Sequence, residues 1–150
     1  MPLGERAAEP WVRERFAAGR VARLATLTAD GRPHLVPVTF VLERPSDVVW
    51  IVVDAKPKST RRLRRLANIE ADPRVSLVVD HYEEDWDRLW WVRADGTASV
   101  EEVSTVAGDA ALIALRAKYP QEADADRLGP LIRVEVQRWA SWSAVMPNQT

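Results

Sequence analysis

Two hydrophobic periods alternate along the chain. From Glu5 to Ala18 the apolar positions fit a helix, with Trp11 and Phe16 as buried anchors and Gly19 as a stop signal. Val21 to Thr28 then reads as a strand, and Ala29-Asp30-Gly31-Arg32 supplies an Asp-Gly hairpin turn. His34 to Leu42 continues as the second strand, interrupted at Pro37. After the turn Arg44-Pro45-Ser46-Asp47, the run Val48 to Val53 is apolar without a break, which predicts a strand buried on both faces.

The helical period returns from Thr60 to Ile69, with Leu63, Leu66 and Ile69 on one stripe, and Asp72-Pro73 ends it. Arg74 to Asp80 is a further strand, followed by an acidic loop from His81 to Asp87. Arg88 to Val92 and Gly96 to Val100 form either a strand pair or one strand bent at Asp95-Gly96. Ser104 to Lys118 is a long helix with Ser104 at its N-cap, and Pro120 to Pro130 is a polar linker. In the last strand, Leu131 to Val145, Ile132, Val134 and Val136 alternate with Arg133, Glu135 and Gln137. About six strands with peripheral helices predict a mainly β (α+β) antiparallel barrel, in one domain over residues 1–150. The early turns leave no room for the crossover helices that a doubly wound parallel sheet requires.

Composition narrows the class further. At 150 residues the chain has the size of one ordinary domain, with 47% hydrophobic and 29% charged residues. Its 21 basic and 22 acidic side chains nearly cancel, so no global field favours nucleic acid or an anionic membrane. Without cysteine there are no disulfides, thiolate nucleophiles or cysteine-held metal clusters. The longest apolar run, six residues, is far short of a membrane span, and the N-terminal stretch lacks a signal-peptide core. A cytoplasmic protein is the expectation.

Charge is concentrated in one place. Lys56, Lys58, Arg61, Arg62, Arg64 and Arg65 put six cations into ten residues at the start of the predicted helix, where Ser59 sits at the N-cap position. Unpaired N–H groups and a partial positive charge make such a terminus a ready anion site, and Arg62 shares the face of Ser59. The same run also reads as a solvated basic helix. His34 and His81 are the only histidines, too few for a metal site of their own, and His34 reads as a satisfied barrel residue. The acidic loop around His81 lacks the glycine and regular oxygen spacing of a calcium loop, and no metal site is expected. No phosphate-loop, dinucleotide-fingerprint or serine-elbow motif occurs.

Two segments carry a resemblance. Ala25 to Val38, with Asp30-Gly31-Arg32-Pro33-His34 at its centre, resembles the opening hairpin of the flavin-reductase-like split barrels. Asp54-Ala55-Lys56-Pro57-Lys58-Ser59, Leu63 to Asn68 and Asp72-Pro73-Arg74-Val75 are similar to that superfamily's phosphate-binding segment and following strand. Together they resemble the pyridoxamine 5′-phosphate oxidase-like proteins, and more narrowly the actinobacterial branch that uses the deazaflavin coenzyme F-420. The resemblance implies an FMN-binding-like split barrel. It implies that Lys56, Lys58 and Ser59, with Arg62, hold the cofactor phosphate, and that Thr26, Leu27, Pro37, Val38 and Thr39 line its ring. It also implies a homodimer with cofactor at the subunit interface, completed by the partner through Arg88, Trp90 or Trp91. The tail from Arg138 to Thr150 lacks the histidine of the pyridoxamine phosphate motif, which argues against that substrate.

The expected activity is therefore hydride transfer between F-420 and a small molecule, with no side chain acting as nucleophile. FMN in the same barrel and a non-catalytic cofactor-binding protein are the alternatives. A nucleic-acid binder using the basic helix is disfavoured by the net charge of −1.

Overall fold

The structure is a computed structural model that describes residues 9–54, 60–122 and 128–147, with the backbone alone at 54, 60–63, 122 and 128. Lys56, Lys58 and Ser59 lie outside the described residues, and Arg62 is described by its backbone only. Helix α1 (Pro10–Ala18) leads into strands β1 (Ala22–Leu27), β2 (Pro33–Val38), β3 (Phe40–Glu43) and β4 (Val48–Asp54). Helix α2 (Thr60–Ala71), strands β5 (Arg74–His81) and β6 (Trp90–Glu101), helix α3 (Val106–Lys118) and strand β7 (Leu128–Ser143) follow. The sheet runs β2-β1-β5-β6-β7-β4-β3, and every pairing in it is antiparallel.

The predicted second strand is two strands. β2 pairs with β1 at one edge of the sheet and β3 pairs with β4 at the other, yet only Thr39 separates them in the chain. Residues two apart are at most about 7 Å apart, so the two edges must meet at Thr39. The sheet curls into a barrel whose hydrogen-bond ladder is interrupted there. This split raises the predicted strand number from about six to seven.

Two cores form, one on each face of β4. Inside the barrel, Leu24, Phe40, Ile51, Leu77, Val92 and Ile132 pack with Val12 and Phe16 of α1 and Ile69 of α2. Outside it, Val41, Val48, Trp50 and Leu131 pack under Ala111, Leu115 and Tyr119 around α3. The unbroken apolar run of β4 follows from serving both cores. α3 starts later than its sequence suggests: Thr105, not Ser104, is the N-cap, and its hydroxyl accepts from the Gly108 amide at 2.9 Å. β6 is one strand, and its register against β7 shifts between Asp95 and Gly96.

The opening hairpin closes as its Asp-Gly sequence predicts. Gly31 holds φ at 82°, a left-handed conformation that favours glycine. The Thr28 amide donates to the Arg32 carbonyl at 2.9 Å, and the Gly31 amide donates to the Thr28 carbonyl.

Candidate functional site

The hairpin end of the barrel gathers polar groups that an apolar core should exclude. Thr26 ends the inward row of β1, below Ala22 and Leu24, and its register partner on β2 is His34. Directly paired residues in an antiparallel sheet point to the same face, so His34 and Thr26 are neighbours there. Asn68 of α2 is buried with Thr26, and its Nδ2 donates to Thr26 Oγ1 at 3.1 Å. This bond ties the helix to the hairpin.

Two groups around that bond have no partner. Nδ1 of His34 and Nε of Arg65 are buried without a hydrogen-bond partner. Arg65 precedes Asn68 by three residues, so the two share a helix face beside the stripe of Leu66 and Ile69. Burial alone pulls the Arg65 guanidinium below its ordinary value, and no carboxylate among the described residues answers it. Arg64, next to it, is exposed. Leaving a buried polar group unpaired costs about 1–3 kcal/mol, and an uncompensated charge costs more. An anion beside the Arg65 guanidinium would offset its charge. The fit is to an anion.

The other residues singled out in the sequence divide between two faces. Thr26 and Val38 are buried on the inward face, which leaves their backbones for an outer ligand. Leu27 and Pro37 face outward, on the side carrying Leu35, and Thr39 is half-buried where the sheet edges meet. Trp90 and Trp91 point to opposite faces, as neighbours on a strand must. Trp90 packs against the inner core, while Trp91 lies outward opposite Trp142, with the Arg93 guanidinium 6.0 Å from its ring centre. On the same face Asp95 accepts from Ser76 at 2.7 Å and from Arg93 and Arg138. Burial pushes the Asp95 carboxyl up, but those bonds outweigh it and hold the group below the usual range. Arg138 is therefore engaged in a surface network.

A groove of about 390 Å³ lies at the other end of β1 and is lined by Arg15, Arg20, Arg23, Asp80, His81 and Trp90 among others. Its aromatic and cationic groups already answer one another. Arg15 sits over the rings of Trp11 and Trp90, His81 stacks on Trp90, and Arg23 pairs with Asp80 at 3.2 Å. Among the described residues no three His, Asp or Glu side chains are grouped to hold a metal ion. No described helix is long and apolar enough to cross a membrane.

Sequence reasoning expected an anion site on the basic run, Arg65 included, and gave no part in it to Asn68 or His34. Asn68 carried a signal, a polar residue beside the apolar stripe of α2. His34, read as satisfied, is not.

Comparisons agree with the fold. The family described as pyridoxamine 5′-phosphate oxidase matches residues 8–143. Among curated proteins none matches the sequence. The conserved hypothetical protein Rv2991 from Mycobacterium tuberculosis superposes with a TM-score of 0.71 at 19% identity, covering 100% of this chain and 94% of that one. The heme storage protein HutZ from Vibrio cholerae gives 0.67 at 17% identity, covering 92% of this chain and 95% of that one. An FAD-binding protein from Mesorhizobium loti gives 0.64 at 18% identity, covering 85% and 87%. At these identities the likeness is one of fold.

Proposed function

The chain belongs to the pyridoxamine 5′-phosphate oxidase family, and we propose that within it the protein is a coenzyme F-420-dependent oxidoreductase acting on a small molecule. The observation that carries this reading is the half-buried guanidinium of Arg65, whose Nε has no hydrogen-bond partner and which no described carboxylate answers, at the end of the run of cations. Such a group is retained where an anion meets it. Lys56, Lys58, Ser59 and Arg62, with Arg65, would hold the phosphoryl group of the cofactor. Leu27, Pro37 and Thr39, with the backbones of Thr26 and Val38, would lie along its ring. When bound, the deazaflavin supplies hydride chemistry; the chain binds it, orients it and keeps water from it.

The outward sheet face supports a homodimer as part of this reading. α3 covers the outer face only around β3 and β4, and across β2, β1, β5 and β6 no described helix does so. Leu35 is 65% and Trp142 is 46% exposed on that uncovered side, with Trp91 between them and Asp95 in an ordered polar network. A second copy seated there would bring the partner subunit's Trp91 to the interface where the cofactor would bind.

FMN is the competing cofactor, favoured by the fold shared with FAD-binding proteins. F-420 carries a phosphodiester followed by a lactyl and polyglutamate tail, whereas FMN ends at its phosphate. Cations beyond the first phosphate contact, such as the exposed Arg64, favour the longer anion. Equilibrium titration read by tryptophan fluorescence decides between them. F-420 with several glutamates should bind more tightly than F-420 with one, and both more tightly than FMN, by a margin that shrinks as salt rises. Equal F-420 affinities, or tighter binding of FMN than of both, would reject the deazaflavin assignment. Turnover with candidate acceptors then separates an enzyme from a carrier.

A further inference from the structure

The groove at the far end of β1 carries more positive charge than its own carboxylates answer. Three arginines, Arg15, Arg20 and Arg23, line it against one acid, Asp80. Arg23 takes that carboxylate at 3.2 Å, and neither Arg15 nor Arg20 has an ion pair among the described residues. Arg20 donates to the Lys118 carbonyl at 3.1 Å and lies over the Tyr119 ring. Arg15 is held by rings, its guanidinium 5.1 Å from the centre of Trp11 and 5.2 Å from that of Trp90. Such contacts fix a cation in place and bring no negative charge to it. Its one hydrogen bond among the described residues is long, from Nη1 to Ser143 Oγ at 3.5 Å. Most of its five N–H donors are left for solvent or a ligand.

The aromatic wall is fixed as well. Trp90 packs against the inner core, and His81 stacks on it with ring centres 6.3 Å apart. A second cavity, of about 400 Å³, adjoins the groove and shares Arg15, His81 and Trp90 with it, so these three side chains border both spaces. Spaces of this size lie at the lower end of small-molecule sites.

We propose that this groove binds a small aromatic carboxylate, whose carboxylate meets Arg15 and whose ring lies along Trp90 and His81. A guanidinium matches a carboxylate with two parallel N–H···O bonds, and the ligand ring adds contact that a compact inorganic anion lacks. Because rings already hold Arg15, little side-chain freedom is lost on binding. Arg20, exposed beside it, adds a second positive charge. The inference goes beyond the cofactor reading and does not depend on it. The groove is lined by described residues throughout and lies at the opposite end of β1 from the Asn68–Thr26 bond.

The experiment is NMR of the ¹⁵N-labelled full chain, following the Trp90 indole and the His81 ring, with Trp90→Phe and His81→Gln to assign them. The probes are benzoate, its neutral analogue benzamide, and acetate, which lacks the ring. Benzoate should shift both signals saturably, and benzamide and acetate should each bind at least tenfold more weakly. Arg15→Met should weaken benzoate about tenfold, whereas Arg32→Gln, in the hairpin at the opposite end, should leave it unchanged. Added salt should weaken benzoate and not benzamide, since only the charged contact is screened.

No saturable shift at Trp90 and His81, equal affinity for benzoate and either of the other probes, or wild-type affinity in Arg15→Met would overturn the assignment. So would benzoate binding that is lost in Arg65→Leu and kept in Arg15→Met, which would move the carboxylate to the other end of the barrel. The comparison of the three probes on the wild-type protein carries the test if Arg15→Met does not fold.

Discussion

Asp47 shows how one residue can serve backbone and packing together. It holds φ at 57°, a left-handed conformation that Asp tolerates better than most residues, in the turn before β4. Its carboxylate accepts from Arg13 Nη2 at 2.6 Å and from the Trp139 indole at 3.2 Å, pinning α1 to the barrel. Burial pushes the Asp47 carboxyl up, but the bonds from Arg13 and Trp139 outweigh it and hold the group below its ordinary value. The folded state thus takes up its proton later than the unfolded chain does. This stability is fully present above about pH 4, the unfolded value, and is lost as pH falls through the lower folded value. Asp47→Ala should cost about 2 kcal/mol at neutral pH and less at pH 3, as measured by urea denaturation. Lys118 has the opposite linkage. Its ammonium donates to the Ala17 and Phe40 carbonyls at 3.0 Å, yet burial, aided by the charge of Arg20, lowers it to about 8. Between pH 8 and about 10.4 the unfolded chain holds more protons, so stability should rise with pH across that window. After allowance for solvent screening the gain is roughly 1 kcal/mol, and Lys118→Met should abolish it. At the site itself, Arg65→Leu should leave the free protein at least as stable while weakening cofactor binding at least tenfold, with Arg64→Leu as the exposed control. Lys58→Glu should abolish binding with the fold intact, and unchanged affinity there would reduce the basic run to a solvated surface.

Among the elements, β6 and β7 form the longest pairing in the sheet, and its register shift is set by one glycine. Asp95 pairs with Arg138, but Gly96 pairs with Val136, so Gln137 is the extra residue of a bulge. A Cβ on Gly96 would lie 2.1 Å from the Glu135 carbonyl oxygen, a backbone atom that cannot move aside cheaply. Gly96→Ala should therefore destabilise the protein by roughly 3 kcal/mol, within the range of severe single substitutions. Thermal unfolding of the variant checks it, and a near-neutral result would mean that the two strands can separate there. The bulge also sets the outward face, because it lies beside the bonds that Asp95 makes with Ser76, Arg93 and Arg138. The elements most readable from sequence were those with one partner surface. β1, β5 and α2 kept their predicted positions within one or two residues, since a single alternating or helical stripe faces a single core. The second strand was read as one strand interrupted at Pro37, whereas Pro37 pairs within β2 and the break falls at Thr39, because hydrophobic period says nothing about which strand a segment pairs with.

For the whole molecule the consequence is an outer sheet face that no described helix covers across β2, β1, β5 and β6. A homodimer through it should give a light-scattering mass near twice 16.9 kDa at micromolar concentration, and a mass near that of one chain would refute it. Leu35→Glu combined with Trp142→Glu should yield monomers and, with the site at the interface, weaken cofactor binding as well. Monomers that bind cofactor with full affinity would detach the site from the interface.

The sequence by itself determined the antiparallel barrel and its helices, and it located the cluster of cations. Strand period, the Asp-Gly turn and a cluster of cations are local properties, fixed by neighbours a few residues away. Only the tertiary structure decided that the chain splits at Thr39, that β4 serves two cores, and that Nε of Arg65 and Nδ1 of His34 are shielded without partners. Each of these depends on which distant segments meet. An arginine on a helix reads the same whether water or a barrel end lies over it, and only packing supplies or withholds its partner.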